Sequence, residues 1–183
     1  MRAVSATPQP RPLVRPVLVS LGFVLFVGPG PLTVLVPWLL SGWELQEPLL
    51  GWTWLRAVGV ALLVFGVPVL AESIARFVWK GRGTLTPMVP TRQLVISGLY
   101  RYVRNPMYVG VVSIILGEAL VLGNGGVLIY AAVVALGFHL FVVLYEEPTL
   151  RRTYGSQYEE YCMLVRRWIP RLTPARLSGE RRG

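Results

Sequence analysis

With 183 residues, 54% of them apolar and only 15% charged, the chain carries too little charge for an ordinary soluble domain of its length. Its net charge of +9 comes from basic residues that flank apolar stretches rather than forming one interleaved basic and aromatic surface, which argues against nucleic acid as a partner. A single cysteine, Cys162, excludes both a disulfide framework and a thiolate metal cluster, and no metal site is expected.

In chain order, residues 1–12 are rich in proline and polar groups and read as a disordered cytoplasmic tail. Four stretches then approach the roughly 20 residues that a bilayer-spanning helix needs: 17–40, 54–77, 107–122 and 127–145. The first resembles a signal sequence at its start, but no small-x-small cleavage site follows it, so it is read as a retained span. It contains Gly28-Pro29-Gly30-Pro31, which must kink or break a helix; two half-spans there would invert everything downstream. Residues 41–53, with Trp54, place Trp43, Trp52 and Trp54 in an interfacial aromatic belt. Glu72, Arg76 and Lys80 continue the second helix at four-residue spacing, so Glu72 and Arg76 pair where it leaves the membrane. Gly81-Arg82-Gly83-Thr84-Leu85-Thr86-Pro87-Met88-Val89-Pro90 forbids a regular helix; it is a surface turn, or backbone brought close to a ligand.

The third span is short and needs cover from its neighbours or a thinned bilayer. It and the fourth form a hairpin turning at Gly123-Asn124-Gly125-Gly126. Beyond it, Leu150, Tyr154, Tyr158, Tyr161 and Val165 recur as one helical stripe. That spacing predicts an amphipathic helix on the cytoplasmic surface, covering the inner end of the hairpin. Trp168-Ile169-Pro170-Arg171 closes the ordered part, and residues 172–183 form a basic tail. The expected fold is all-α: a polytopic membrane protein of about four transmembrane helices plus a cytoplasmic amphipathic C-terminal helix, with residues 13–171 as one membrane domain. With both termini cytoplasmic, Arg56 is the only one of the 18 basic residues left outside, as the positive-inside rule demands. The charge then also attracts anionic inner-leaflet lipid, making membrane lipids partners of the chain.

The hairpin brings Gly98-Leu99-Tyr100-Arg101-Tyr102-Val103-Arg104-Asn105-Pro106-Met107-Tyr108 beside Glu146-Glu147-Pro148 at one membrane edge. Each residue of the first cluster has a plain reading by itself. Asn105 and Pro106 suit the N-cap and first position of a helix. Arg101 and Arg104 fit the positive-inside pattern, and Tyr100, Tyr102 and Tyr108 fit the aromatic belt. Glu146 and Glu147 stand out: at a helix carboxyl end they face the negative end of its dipole and repel one another. They require a cationic partner, either Arg101, Arg104, Arg151 or a bound ligand. His139, two turns earlier and within the membrane, is either a hydrogen-bonded core histidine or a functional group. Glu118 lies near the outer turn and snorkels.

Together these clusters resemble the isoprenylcysteine carboxyl methyltransferase and phospholipid methyltransferase superfamily of small polytopic membrane enzymes. The resemblance extends through Gly81-Arg82-Gly83-Thr84 and Tyr154-Gly155-x-x-Tyr158-x-x-Tyr161 to Arg167-Trp168-Ile169-Pro170-Arg171, and covers roughly residues 72–171. It implies S-adenosyl-L-methionine as cofactor and a lipophilic small molecule or lipid as methyl acceptor: an isoprenylcysteine carboxylate or a phospholipid amine. By that resemblance Tyr100, Arg101, Arg104, Asn105, Pro106, Tyr108, Glu146 and Glu147 bind the cofactor, and Glu147 and Arg104 carry the catalytic roles. Asn105 stands where better-studied members have His, so no imidazole is available there for acid–base work. Leu99 stands where Pro is frequent.

The residue chemistry suits that implication. Carboxylates accept from the cofactor's ammonium or ribose diol, a guanidinium pairs with its carboxylate, and tyrosine faces stabilise a sulfonium. Positioning and water exclusion then contribute most to an in-line methyl transfer. Two other readings compete. In one, the arginines and glutamates merely fix the hairpin of a non-catalytic scaffold. In the other, Glu118 and His139 carry protons in a small transporter, against which stand four spans without an inverted repeat.

Overall fold

In a computed structural model, residues 28–80 and 96–175 are described, with side chains excepted at 77–80. The expected N-terminal tail, the start of the first apolar stretch, the Gly81-x-Gly83 segment through residue 95 and the end of the basic tail lie outside the described residues. Within them the chain is all-helical. Helix α1 covers Pro31–Ser41, α2 Trp54–Lys80, α3 Pro106–Leu122, α4 Gly125–Tyr154 and α5 Ser156–Leu164.

Proline sets the local shape of α1. Gly30 is itself helical, at φ −58 and ψ −58, and the irregularity is a π-turn over Pro31–Leu35 in which the Val36 N–H reaches the Pro31 carbonyl. The widened turn accommodates Pro37, which has no N–H to donate. After α1 the chain turns through Gly42 in the left-handed region and crosses to α2.

Helices α2 and α3 pack antiparallel along a glycine seam, the most extensive helix contact in the fold. A Cβ on Gly59 would lie 2.8 Å from the Gly117 carbonyl oxygen, and one on Gly66 would lie 3.0 Å from that of Gly110. Only glycine permits this approach, which brings backbone onto backbone over two turns of each helix. The seam continues to Ser73, which is fully buried.

Helix α3 ends at Gly123, φ +74, and Asn124 caps α4 by accepting from the Val127 N–H at 2.9 Å. The hairpin therefore turns where the sequence predicts. Its core is Val111, Ile114, Ile115 and Ala119 against Val127, Ala131 and Val134. The Tyr130 hydroxyl donates to the Leu32 carbonyl at 3.1 Å and ties α4 to α1.

The Trp54–Arg76 and Gly125–Tyr154 segments are long and apolar enough to cross a membrane, yet only 17% of each apolar window is buried within the protein. Val60, Val64 and Val67 of α2 and Ile129, Val133 and Leu136 of α4 face outward, a continuous apolar surface that suits lipid and not water. Helices α1 and α3 are apolar but shorter. At 17 residues, α3 extends about 25 Å, less than the roughly 30 Å hydrocarbon core. The two ends of the bundle differ sharply. One carries exposed Trp43, Trp52 and Trp54 beside the Gly123 turn, with Arg56 donating to the Gln46 carbonyl at 2.5 Å. The other gathers Arg76, Arg101, Arg104, Arg151, Arg152, Arg166, Arg167 and Arg171.

Two expectations are corrected. Glu146 and Glu147 do not stand at a helix carboxyl end, because α4 runs on to Tyr154 through a π-turn at Val142–Glu146. That turn leaves slack in the hydrogen-bond ladder just where Pro148 cannot donate, so the helix survives the proline. The aromatic stripe, in turn, is not on one helix. The chain breaks at Gly155, φ 53 and ψ −129, a conformation that is essentially glycine-only. The stripe nevertheless forms a small core, with Tyr158, Tyr161, Val165 and Ala175 buried and Leu150 and Tyr154 packed against them.

Candidate functional site

The polar end of the bundle is assembled by three pieces of chain. A 3-10 turn, Gly98–Arg101, leads into α3; the π-turn presents Glu146 and Glu147; and residues 165–175 return after α5 as a strap. The strap lies antiparallel to the loop before α3. The Arg104 N–H donates to the Arg166 carbonyl at 3.0 Å, the Arg171 N–H to Tyr102 at 2.9 Å and the Ala175 N–H to Arg101 at 2.9 Å. Arg101 returns the bond, its Nε donating to the Ala175 carbonyl at 2.8 Å. The strap is thus bonded to the loop before α3 as far as Ala175, past the Arg171 at which the sequence predicts the ordered part to close.

The π-turn sends the two carboxylates to different partners. Glu147, buried, accepts a bidentate pair from Arg167, Nε to Oε1 at 2.6 Å and Nη2 to Oε2 at 2.9 Å. Arg104 Nη1 approaches the same Oε1 at 3.1 Å and also donates to Cys162 Sγ at 2.8 Å. Its Nε is buried and has no hydrogen-bond partner among the described residues. Glu146 instead accepts from the Tyr108 hydroxyl at 3.1 Å, and the Tyr108 ring packs on Phe138 with centroids 4.5 Å apart.

Of the residues singled out from sequence, Arg104, Tyr108, Glu146 and Glu147 thus form direct polar contacts within one cluster. Pro106 is buried at the first position of α3. Asn105 takes the N-cap position, but its side chain does not cap the helix; Nδ2 donates to the Arg167 carbonyl at 3.3 Å, because the strap lies within its reach. Tyr100 sits on the 3-10 turn, where its carbonyl accepts from the Tyr161 hydroxyl at 2.7 Å. Burial, then the facing charges of Glu146 and Glu72, push the Tyr100 phenol well above the usual tyrosine range, so it stays protonated. His139 is not a core histidine: it is exposed and accepts from Trp168 Nε1 at 3.2 Å. Glu118, expected to snorkel, instead has Oε2 buried without a hydrogen-bond partner among the described residues. Arg151, a sequence candidate for pairing with the glutamates, approaches Glu159 at 4.0 Å.

Arg167 and Glu72 were not among the sequence candidates. Arg167 lies 20 residues beyond Glu147, out of helical register, and only the strap brings it back. Its signal was the basic Arg166-Arg167 pair ahead of Trp168. Glu72 pairs with Arg76 as the spacing predicts, and that pair lies under the 3-10 turn.

Two apolar grooves flank the head of α3. One, of about 200 Å³, is lined by Phe65, Val69, Leu99, Tyr102, Val109 and Pro170. The other, of about 350 Å³, lies between α3 and α4 and is lined by Tyr108, Val112, Ser113, Phe138, His139 and Trp168. The second includes Tyr108, the residue that donates to Glu146.

Residues 54–157, more than half of the chain, match the model of a family described as phospholipid methyltransferase. The chain belongs to that family. Two relatives carry a narrower name. Protein-S-isoprenylcysteine O-methyltransferase B of Arabidopsis thaliana is 29% identical over 122 residues, 64% of this chain and 60% of the plant protein. Protein-S-isoprenylcysteine O-methyltransferase of Schizosaccharomyces pombe is 36% identical over 77 residues, 42% of this chain and 33% of its own length. The matches thus span less than two thirds of either relative. No solved structure matches the chain at a significant level. The family's matched region contains α2, the 3-10 turn, the hairpin and both glutamates, but the Arg167 strap lies beyond it.

Proposed function

We propose that this protein is an integral membrane, S-adenosylmethionine-dependent methyltransferase acting on a lipophilic acceptor. The observation that carries this is the convergence of Tyr108–Glu146 and Arg104–Glu147–Arg167 at one end of the bundle, beside an apolar groove that reaches Tyr108. Family membership supports the same reading.

The residues present fit such a cofactor. Arg104 retains a buried Nε donor without a partner among the described residues, which suits a carboxylate. Glu146 offers an acceptor for an ammonium or a ribose diol, and the protonated Tyr100 a donor for the diol. When bound, the cofactor supplies a methyl group on a sulfonium. The chain's own part is to hold both reactants and exclude water, the terms that dominate a displacement needing little acid–base help. Glu147, with both oxygens on guanidiniums, holds Arg104 in place. Should the acceptor be an amine, the proton passes to Glu146, whose partner is a neutral phenol. Asn105 contributes by fixing the strap, and Pro106 by starting α3. The groove between α3 and α4 takes the acceptor's apolar chain, with Tyr108 where its head would meet the cofactor. The acceptor is a lipid-borne carboxylate, as the relatives' names suggest, or a phospholipid amine, as the family's does. With the polar end cytoplasmic, a water-soluble cofactor and a membrane-dissolved acceptor meet at one depth.

Binding of radiolabelled S-adenosylmethionine to the purified protein tests the reading. Wild type should bind, Glu146→Gln and Arg104→Ala should bind weakly or not at all, and absence of binding in both lipid and detergent overturns it. A second reading is favoured by the Arg104–Glu147–Arg167 pairs, which would equally serve a scaffold that only fixes the hairpin. Under that reading the cofactor raises the melting temperature of neither wild type nor Glu147→Gln.

A further inference from the structure

Glu72 projects from α2 into the same end of the bundle. Its Oε1 pairs with Arg76 Nε one turn on, but its Oε2 is buried and has no hydrogen-bond partner among the described residues. A buried carboxylate oxygen without a donor calls for an explanation. Its partner Arg76 is held against the turn before α3. Arg76 Nη1 donates to Ser97 Oγ at 3.4 Å. Gly98, at φ +58, lies so close that a Cβ there would run into the Arg76 guanidinium. The Tyr100 N–H bonds the Ser97 carbonyl at 3.3 Å. The pair is therefore held beneath the turn that carries Tyr100, and Glu146, bound to Tyr108, is close enough to act with Glu72 on the Tyr100 phenol electrostatically. Two carboxylates on different helices thus face one protonated phenol. Among the described residues Arg76 meets only one oxygen of Glu72, and the hydrogen-bond partner of Glu146 is a neutral hydroxyl. Arg104 and Arg167 are already on Glu147.

We propose that Glu72 is a further binding residue of this site, holding with Glu146 a positively charged group of the bound ligand. The inference rests on the methyltransferase reading and adds to it a carboxylate from α2. The charge has two sources of the same chemistry: the sulfonium or ammonium of the donor, or the ammonium of an amine acceptor.

The test uses the full-length protein in dodecyl maltoside, as wild type, Glu72→Gln and Arg76→Met, with melting curves on the same samples. Affinities are measured for S-adenosylmethionine, for S-adenosylhomocysteine, which lacks the sulfonium charge, and for octylamine against octanoate. Glu72→Gln should weaken one cation about tenfold, the worth of one charge-assisted hydrogen bond. A loss larger for S-adenosylmethionine than for S-adenosylhomocysteine assigns the charge to the sulfonium; an equal loss for both assigns it to the donor's ammonium. A loss for octylamine alone, with octanoate unaffected, assigns it to the acceptor. Arg76→Met keeps the carboxylate and frees it, so the same cation should bind as well or more tightly. Unchanged affinities in Glu72→Gln overturn the proposal, and so does an Arg76→Met loss equal to that of Glu72→Gln, which would mark the pair as a structural staple. If Glu72→Gln does not fold, the Arg76→Met comparison decides alone. If wild type binds neither nucleoside, the methyltransferase reading fails while the octylamine arm still reports on Glu72.

Discussion

Glu147 is the residue on which most of the polar end depends. It is buried, and it joins α4 to the strap through Arg167 and to the loop before α3 through Arg104. Replacing it by Gln leaves two guanidiniums facing an uncharged amide in a partly desolvated place. The expected cost is about 3 kcal/mol, the lower end for breaking a buried ion pair, because Arg167 keeps 31% of its side chain exposed. Differential scanning fluorimetry should show a large fall in melting temperature. Asn105→Ala removes a single neutral hydrogen bond to the Arg167 carbonyl and should cost only about 1 kcal/mol. An equal loss from both variants would mean that the strap, not the ion pairs, holds this end together. The sequence marked both glutamates as needing a cation, because adjacent carboxylates repel wherever they stand; Glu147 takes two guanidiniums, whereas Glu146 accepts from the Tyr108 hydroxyl instead. It did not show which cation, since Arg167 reaches Glu147 by tertiary folding and not by helical spacing.

At the scale of elements, the hairpin was legible because long apolar runs and Gly123-Asn124 are local signals, and α3 and α4 meet at that turn. The π-turn was not, since no residue type encodes an i→i+5 bond; Pro148 was its only trace. The break at Gly155 was legible in principle, as a glycine interrupting an amphipathic pattern, but the stripe reads continuously through it because both short helices present their aromatics to one core. Gly155→Ala tests the break cleanly, for a Cβ there meets nothing within 4 Å. Its cost is backbone strain alone, about 2 kcal/mol. Gly117→Val is the opposite case: the backbone conformation is helical, but the Cβ would lie 2.8 Å from the Gly59 carbonyl oxygen. Forcing α2 and α3 apart should cost about 3 kcal/mol, read as a lower melting temperature in the same detergent. The seam itself could have been found in the sequence, as glycines seven residues apart on each of two apolar helices.

For the whole molecule, the two ends differ in charge because the fold gathers distant segments, not because one run of sequence is basic. Residues 76, 101, 104, 151, 152, 166, 167 and 171 come together across nearly a hundred positions, while the tryptophan end keeps Arg56. Anionic lipid and the membrane potential both favour the basic end inside the cell, and the cofactor proposed above, if drawn from the cytoplasm, requires the same orientation. Leu50 and Leu172 report the two ends directly: Leu50 is 80% exposed on the tryptophan side, and Leu172 is 101% exposed on the strap. In a Cys162→Ser background, a membrane-impermeant maleimide should label Leu50→Cys on intact cells and Leu172→Cys only after permeabilisation. Labelling of Leu172→Cys from outside would place the site on the wrong face for a cytoplasmic cofactor, and the proposed reaction would fail with the topology. Labelling of both from one side would mean that the chain between them does not cross the bilayer a net odd number of times, against a fold in which α2, the hairpin and the strap put residues 50 and 172 at opposite ends.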